Sequence, residues 1–239
     1  MELVILAAGG HRRLPDLQVP KALIEFDGMT ITEEVVRCFA PWIDGVMLCV
    51  GYKAEMIEKR IGSSLYGIPV CYCHNEDFAT TGAAWSLYLA REFYKGRECI
   101  ITEGDQMLHP EIVRRLMESP YPNCVPIDNA SKPEYGEETV ITGKDGVVSG
   151  MYWPARDYTY TEPVVGEVLV TARMCSGASL ILPDLLDTRE IINPFDKLYK
   201  GFPCEWHYVC TDGLPWIEID TPEDLARAQQ VFQQIKEDL

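Results

Sequence analysis

Three observations predict an α/β fold built on a mostly parallel sheet. Apolar runs alternate with helix-period segments through the first half of the chain, the pattern of strands joined by crossover helices. The first such run, Leu3-Val4-Ile5-Leu6, passes straight into Ala7-Ala8-Gly9-Gly10. Hydrophobic residues make up 47% of the 239 positions, enough to bury one substantial core.

The run Leu3–Leu6 is read as a buried strand because it is short, continuous and bounded by turn residues. Two small residues and two glycines then let the backbone turn tightly and come close to a ligand, with N–H groups facing an anion. Arg13 and Lys21 add mobile positive charge to the same loop. Together these parts describe a cradle for a triphosphate. A dinucleotide fingerprint is set aside, because Gly-x-Gly-x-x-Gly is missing and no helix pattern opens directly after the glycines. A Walker loop fails for want of Gly-Lys-Ser/Thr.

Further strands are expected at Gly45–Val50, Pro69–Cys73 and Glu98–Thr102, and helices at Ile31–Phe39, Ala54–Ile61, Ala83–Tyr94 and Pro110–Met117. The last of these starts with Pro at a first-turn position, where its missing N–H costs nothing. From about Asn123 the pattern shifts to shorter strands. Thr139–Thr142 and Val147–Tyr152 flank Lys144-Asp145-Gly146, which reads as a hairpin. A strand at Trp216–Ile219 and a helix from Pro222 to about Lys236 close the chain, with Asp220-Thr221 as the cap and Glu223 and Asp224 in the first turn. The chain is thus expected to be a single domain over 1–239, with a nucleotide-binding half over about 1–122, an acceptor-side region over about 123–215 and a returning strand and helix over 216–239.

Two acidic groups stand out. Cys99-Ile100-Ile101-Thr102 leads into Glu103-Gly104-Asp105, and ligands of open α/β sheets sit outside the carboxyl ends of the strands. Asp105 is therefore placed to hold Mg²⁺, a hard ion bound through one or two carboxylates plus substrate phosphates; a turn-forming Asp is the plainer alternative. In Trp216-Ile217-Glu218-Ile219-Asp220, strand alternation puts Glu218 and Asp220 on one face, where two like charges repel unless a cation lies between them.

The order Leu6-Ala7-Ala8-Gly9, Arg13, then Pro20-Lys21-Ala22-Leu23 resembles the nucleotidyltransferases that carry Leu-Ala-Ala-Gly-x-Gly-x-Arg followed by Pro-Lys-x-Leu. His11 stands where the second loop glycine is usual. Asn75, Thr80-Thr81-Gly82, Ser86-Leu87, Gly104-Asp105 and Glu218-Ile219-Asp220 narrow the resemblance to the small cytidylyltransferases that activate phosphocholine and related phosphonates. The resemblance implies a Rossmann-like, GT-A-like nucleotidyltransferase fold with a small β-rich acceptor-side insertion. It implies that Leu6, Ala7, Ala8, Gly9, Gly10, His11, Asn75, Thr80, Thr81, Gly82 and Ser86 contact the nucleotide. Arg13, Lys21, Asp105 and Asp220 would be catalytic, and Asp105, Glu218 and Asp220 would bind Mg²⁺. CTP would be the substrate, with a phosphorylated alcohol or a phosphonate as acceptor.

Such an acceptor is already an anion, so no general base is needed, in keeping with four His and no Ser/His/Asp arrangement of suitable spacing. Trp85, Tyr152, Trp153, Trp206 and Trp216, with Glu162, Glu167 and Glu205, would form an aromatic and acidic wall for a choline-like or amino head group. Of these, Trp85, Tyr152, Trp153, Glu205 and Trp206 are assigned to the acceptor; core or sheet-face packing is the alternative for each. Cys71-x-Cys73-His74 is read as strand residues in preference to a zinc site. A net charge of −16 without a Lys/Arg cluster argues against nucleic acid. Nine scattered cysteines suit reduced thiols. With no bilayer-spanning run and no basic leader, no membrane partner and a cytoplasmic location are expected; a homodimer stays open. The rival readings are a sugar-1-phosphate nucleotidyltransferase using another NTP, a nucleotide-sensing module without catalysis, and a glycosyltransferase, which would show Asp-x-Asp after the central strand.

Overall fold

The computed structural model describes residues 1–10, 13–130, 140–152, 163–199 and 204–237. His11, Trp153 and Glu162 lie outside them. One eleven-stranded sheet spans the described residues. In spatial order its strands are Val164–Val168, Val140–Lys144, Val147–Tyr152, His207–Cys210, Cys124–Asp128, Thr171–Met174, Cys99–Glu103, Glu2–Ala7, Gly45–Val50, Ile68–His74 and Ser64–Leu65.

Glu2–Ala7 lies at the centre of the parallel part, paired with Gly45–Val50 on one side and Cys99–Glu103 on the other. Its side chains divide between two cores. Leu3 and Ile5 pack with the helices Ile31–Phe39, Ala54–Ile61, Pro110–Glu118 and Pro222–Glu237, while Val4 and Leu6 pack with Ala83–Leu89 and Ser176–Leu186. Burial on both faces is why the strand is continuously apolar and not alternating.

The first three parallel strands run outward from Glu2–Ala7, and the fourth, Cys99–Glu103, returns to its other side. That reversal opens a crevice at the carboxyl ends of the two central strands. The glycine loop leaves from one strand and Glu103-Gly104-Asp105 from the other. Gly104 eases this close approach: a Cβ would stand 3.0 Å from Ala7 Cβ and 3.1 Å from Leu6 O, tighter than ordinary contact.

Three sequence expectations are revised. Beyond Cys99–Glu103 the sheet is largely antiparallel, and the β-rich acceptor-side region continues that same sheet. The expected helix Ala83–Tyr94 divides into Ala83–Leu89 and Arg91–Tyr94 at Ala90. Trp216–Glu218 does not rejoin the main sheet; it pairs antiparallel with Gln106–Leu108 in a two-stranded ribbon. The hairpin over Val140–Lys144 and Val147–Tyr152 turns through Asp145 and Gly146, both at positive φ, as a tight Asp-Gly turn demands.

The ribbon is what brings the end of the chain to the crevice. Glu218 pairs with Gln106, and the Ile219 N–H donates to Asp105 O at 3.0 Å. Ile217, 4% exposed, anchors it to the core. Ile217→Ala should therefore cost about 2–4 kcal/mol of stability in chemical denaturation, and more activity than a core substitution of equal cost placed away from the crevice.

Candidate active site

The glycine loop is held open by its neighbours. Ala8 O accepts from Tyr52 N at 3.0 Å, which ties the loop to the end of Gly45–Val50. Among the described residues, no atom lies within 4 Å of where a Gly9 Cβ would be. Neither Gly9 nor Gly10 has positive φ. Gly9 thus leaves room for a ligand to approach the backbone, a Cβ at Gly10 would touch the Tyr52 ring at 3.7 Å, and neither is needed for an unusual turn.

A cavity of about 340 Å³ opens above this loop. Leu6, Ala7, Ala8, Gly9, Gly10, Asn75, Thr81, Gly82 and Ser86 all line it, as do Arg13, Lys21 and Asp105. Asn75 organises the far wall: its Nδ2 donates to Thr81 Oγ1 at 3.0 Å and to Ser86 Oγ at 2.9 Å, while its Oδ1 accepts from Asp77 N at 3.0 Å. Thr80 does not share this wall. Its hydroxyl donates to Asp77 O at 3.2 Å, closing a local turn.

The charged groups meet at the mouth of the crevice. Lys21 Nζ donates to Asp105 Oδ2 at 2.9 Å and to Asp220 Oδ1 at 2.5 Å. Arg13 pairs with the other Asp220 oxygen at 2.5 Å. Burial opposes the charge on Lys21, yet Asp105 and Asp220 hold its pKa above the ordinary value. Asp220 is free to do this because it is not the helix cap. Thr221 takes that role, its Oγ1 accepting from Asp224 N at 3.2 Å, while the Asp224 carboxylate accepts from the Thr221 N–H at 2.9 Å.

Oxygens of Glu103, Asp105 and Glu218 lie within 4.8 Å of one another. Asp105 and Glu218 were expected in such a set; Glu103 enters it, while Asp220 faces the two cations. Burial, then the neighbouring Asp105, pushes Glu103 up to about 8. Burial, then Asp105 and Glu103, raises Glu218 well above the carboxylate range. Burial likewise raises Asp105 against the pull of Lys21, and its Oδ1 is buried without a hydrogen-bond partner. Three crowded oxygen donors with one orphaned atom fit a hard divalent cation such as Mg²⁺.

A second cavity, about 1370 Å³, adjoins the first. Both are lined by Arg13, Lys21, Glu103 and Asp105. Its remaining wall is strongly acidic, with Asp128, Glu167, Glu218, Asp220, Glu223 and Asp224. Trp216 lines it too, its Nε1 donating to Asp128 Oδ2 at 3.0 Å. Among the described residues, the assigned aromatic wall is not assembled there. Trp206 is 3% exposed and belongs to the core. Glu205 pairs with His207 Nε2 at 2.9 Å; Trp85 stacks on Tyr88, with Arg189 over its ring. Tyr152, though described, lines neither cavity. Cys71 and Cys73 join no metal cluster among the described residues, and all nine cysteines are free thiols.

Residues 3–175 match the family described as the MobA-like NTP transferase domain, and the chain belongs to that family. The bifunctional IPC transferase and DIPP synthase of Rubrobacter xylanophilus is 26% identical over 95% of this chain, which spans 51% of that relative's length. The UTP–glucose-1-phosphate uridylyltransferase AglF of Haloferax volcanii is 25% identical, with 98% of this chain and 97% of that protein aligned. Among solved structures, the inositol-1-phosphate CTP transferase from T. maritima superposes with a TM-score of 0.78 at 18% identity, covering 99% of this chain and 96% of that one. The CTP:phosphocholine cytidylyltransferase LicC of Streptococcus pneumoniae gives 0.72 at 16%, covering 97% and 98%. The fold is the GT-A-like nucleotidyltransferase fold. No helix among the described residues is long and apolar enough to cross a membrane.

The raised Glu103 pKa sets a pH dependence. In the unfolded chain this carboxyl ionises near about 4.3, whereas in the folded, metal-free protein it ionises only near about 8. Its contribution to stability is therefore present at low pH and lost as pH rises through that window. Denaturation in EDTA should show stability falling from about pH 5 to about pH 8, and Glu103→Gln should flatten that slope. Added Mg²⁺, which requires the ionised carboxylates, should stabilise more at about pH 8 than at about pH 6.

Proposed function

We propose that the protein is a cytidylyltransferase that moves CMP from CTP to a small phosphorylated alcohol or a phosphonate, of the phosphocholine or 2-aminoethylphosphonate kind, and releases pyrophosphate. One observation carries this reading: the four residues Arg13, Lys21, Glu103 and Asp105 stand on the common wall of a nucleotide-sized cavity and a larger acidic one. A phosphorus atom passed from a nucleotide to an acceptor would have to sit at that junction. The acidic lining and the Trp216 indole favour an acceptor with a cationic head group.

An acceptor oxygen attacks the α-phosphorus, and the bond to the oxygen bridging to the β-phosphate breaks. Because the attacking oxygen is anionic, the barrier lies in bringing anions together and in the charge that moves onto pyrophosphate. Lys21 is held by two carboxylates at the junction, so its ammonium is fixed in place before the phosphates arrive. Arg13 offers a fork of donors to the leaving pyrophosphate. The Gly9-Gly10 loop supplies open backbone to the triphosphate, and Asn75 orients Thr81 and Ser86 at the base end. Asp105 and Glu218 with Glu103 would hold Mg²⁺, beside Asp220. Bound there, the ion would neutralise and orient the reacting phosphate oxygens. CTP as substrate and nine free thiols support a cytoplasmic location in this reading.

A second reading has its own support. The match to AglF spans both chains, and a sugar 1-phosphate with UTP would use the same junction. Incubating the protein and Mg²⁺ with each NTP and a panel of phosphocholine, 2-aminoethylphosphonate, inositol 1-phosphate and sugar 1-phosphates, and following pyrophosphate release, separates the two. Turnover only with CTP and an amino or choline acceptor is expected. Turnover only with a sugar 1-phosphate would replace this reading with the second, and none with any pair would favour a sensor. Lys21→Ala and Asp220→Ala should each lower turnover by about a hundredfold or more with the fold retained.

A further inference from the structure

The segment between the helices Ser176–Leu186 and Pro194–Tyr199 crosses back to the site as a strap. It is pinned twice. Arg189 Nη2 donates to Asp77 Oδ2 at 2.7 Å. Further along, Ile192 O accepts from Ala84 N at 3.2 Å, and its N and O stand only 2.5 Å from where a Gly82 Cβ would be. The strap can lie this close only because residue 82 is glycine.

These anchors deliver Asn193 to the carboxylate cluster. Asn193 Nδ2 donates to Glu103 Oε1 at 2.8 Å, and Asn193 Oδ1 accepts from Phe195 N at 3.0 Å, which caps the following helix. With the oxygen committed to Phe195, the amide can present only its N–H₂ to Glu103. A carboxamide also orients its partner without cancelling any charge. A Lys or Arg at this position would neutralise part of what attracts the ion.

We propose that Asn193 is a positioning residue that fixes the Glu103 carboxylate toward Asp105 and Glu218, so that the three can hold one divalent cation. The inference rests on the reading of this cluster as the Mg²⁺ site. Its physical content is that a ligating carboxylate left without a donor is free to rotate out of the set, and such outer partners govern metal affinity by about 10–100-fold.

The two bonds of Asn193 can be separated experimentally. Asn193→Ser and Asn193→Thr keep a side-chain oxygen suited to the helix cap but cannot reach Glu103 with an N–H. Asn193→Ala loses both. Mg²⁺ binding by titration calorimetry without substrates, and the melting temperature in EDTA, would be measured for each. The expected result is that the Ser or Thr variant melts near the wild type yet binds Mg²⁺ about tenfold or more weakly, whereas Ala loses both properties. Ser and Thr variants that bind Mg²⁺ like the wild type would overturn the inference, as would a wild type that binds none. If the Ser variant does not fold, the Thr variant decides. Weakened Mg²⁺ binding in these variants, beside a wild type that transfers no nucleotide, would leave the inference standing and remove the proposed activity. The reverse pair of results would remove the inference alone.

Discussion

The contacts of Lys21 with Asp105 and Asp220 tie together three stretches of chain that are remote in sequence. Lys21 follows the glycine loop, Asp105 follows the fourth parallel strand and Asp220 precedes the closing helix. A recessed ammonium and recessed carboxylates are each costly alone, because burial strips their hydration. Brought together they offset one another, and the arrangement holds only if all three backbones are correctly placed. Glu103 and Glu218 add two more carboxyls beside the pair that Lys21 and Arg13 balance, and burial with mutual crowding holds the pKa of each up in the metal-free protein. On the proposed reading, a divalent cation bound there would favour the ionised form of these carboxyls.

The fold supplies this convergence through a few local devices. Reversal of strand order beside Glu2–Ala7 opens the crevice. Gly104 lets the acidic loop lie against the strand that feeds the glycine loop. The ribbon of Gln106–Leu108 and Trp216–Glu218 recruits the end of the chain, and Thr221 takes over capping so that the Asp220 carboxylate can face the cations. Each device is small, and each acts on the same junction. The acidic second cavity then follows from the antiparallel half of the sheet, whose strands contribute Asp128 and Glu167 to its wall.

Sequence reading reached the parts of this site that are written locally. The glycine loop, Lys21, Gly104-Asp105 and the Glu218-Ile219-Asp220 segment announce themselves through composition next to a strand or helix end. Helices such as Ile31–Phe39 and Ala54–Ile61 were legible to the residue, because apolar periodicity and caps are local too. Glu103 is not assigned to the site from sequence, since the expected strand ends at Thr102 and Asp105 is chosen from the segment after it; the folded strand runs on through Glu103. Asn193 lies in a segment whose meaning depends on Gly82, more than a hundred positions earlier. The acceptor wall shows the converse error: aromatic residues on strands look equally like ligand contacts and core, and Trp206 proved to be core because its strand neighbours bury it. Thr80 and Thr81 are adjacent and chemically alike, and both hydroxyls donate to Asp77 O; only Thr81 also accepts from Asn75 and lines the cavity.

The most direct test of the junction is a crystal structure grown with Mn²⁺ in place of Mg²⁺ and a non-hydrolysable CTP analogue, with the metal located by its anomalous scattering. The account predicts an ion against Asp105, Glu103 and Glu218, and the triphosphate along the Gly9-Gly10 loop within reach of Lys21 and Arg13. A nucleotide bound elsewhere, or a triphosphate in that loop with no ion touching these carboxylates, would contradict it.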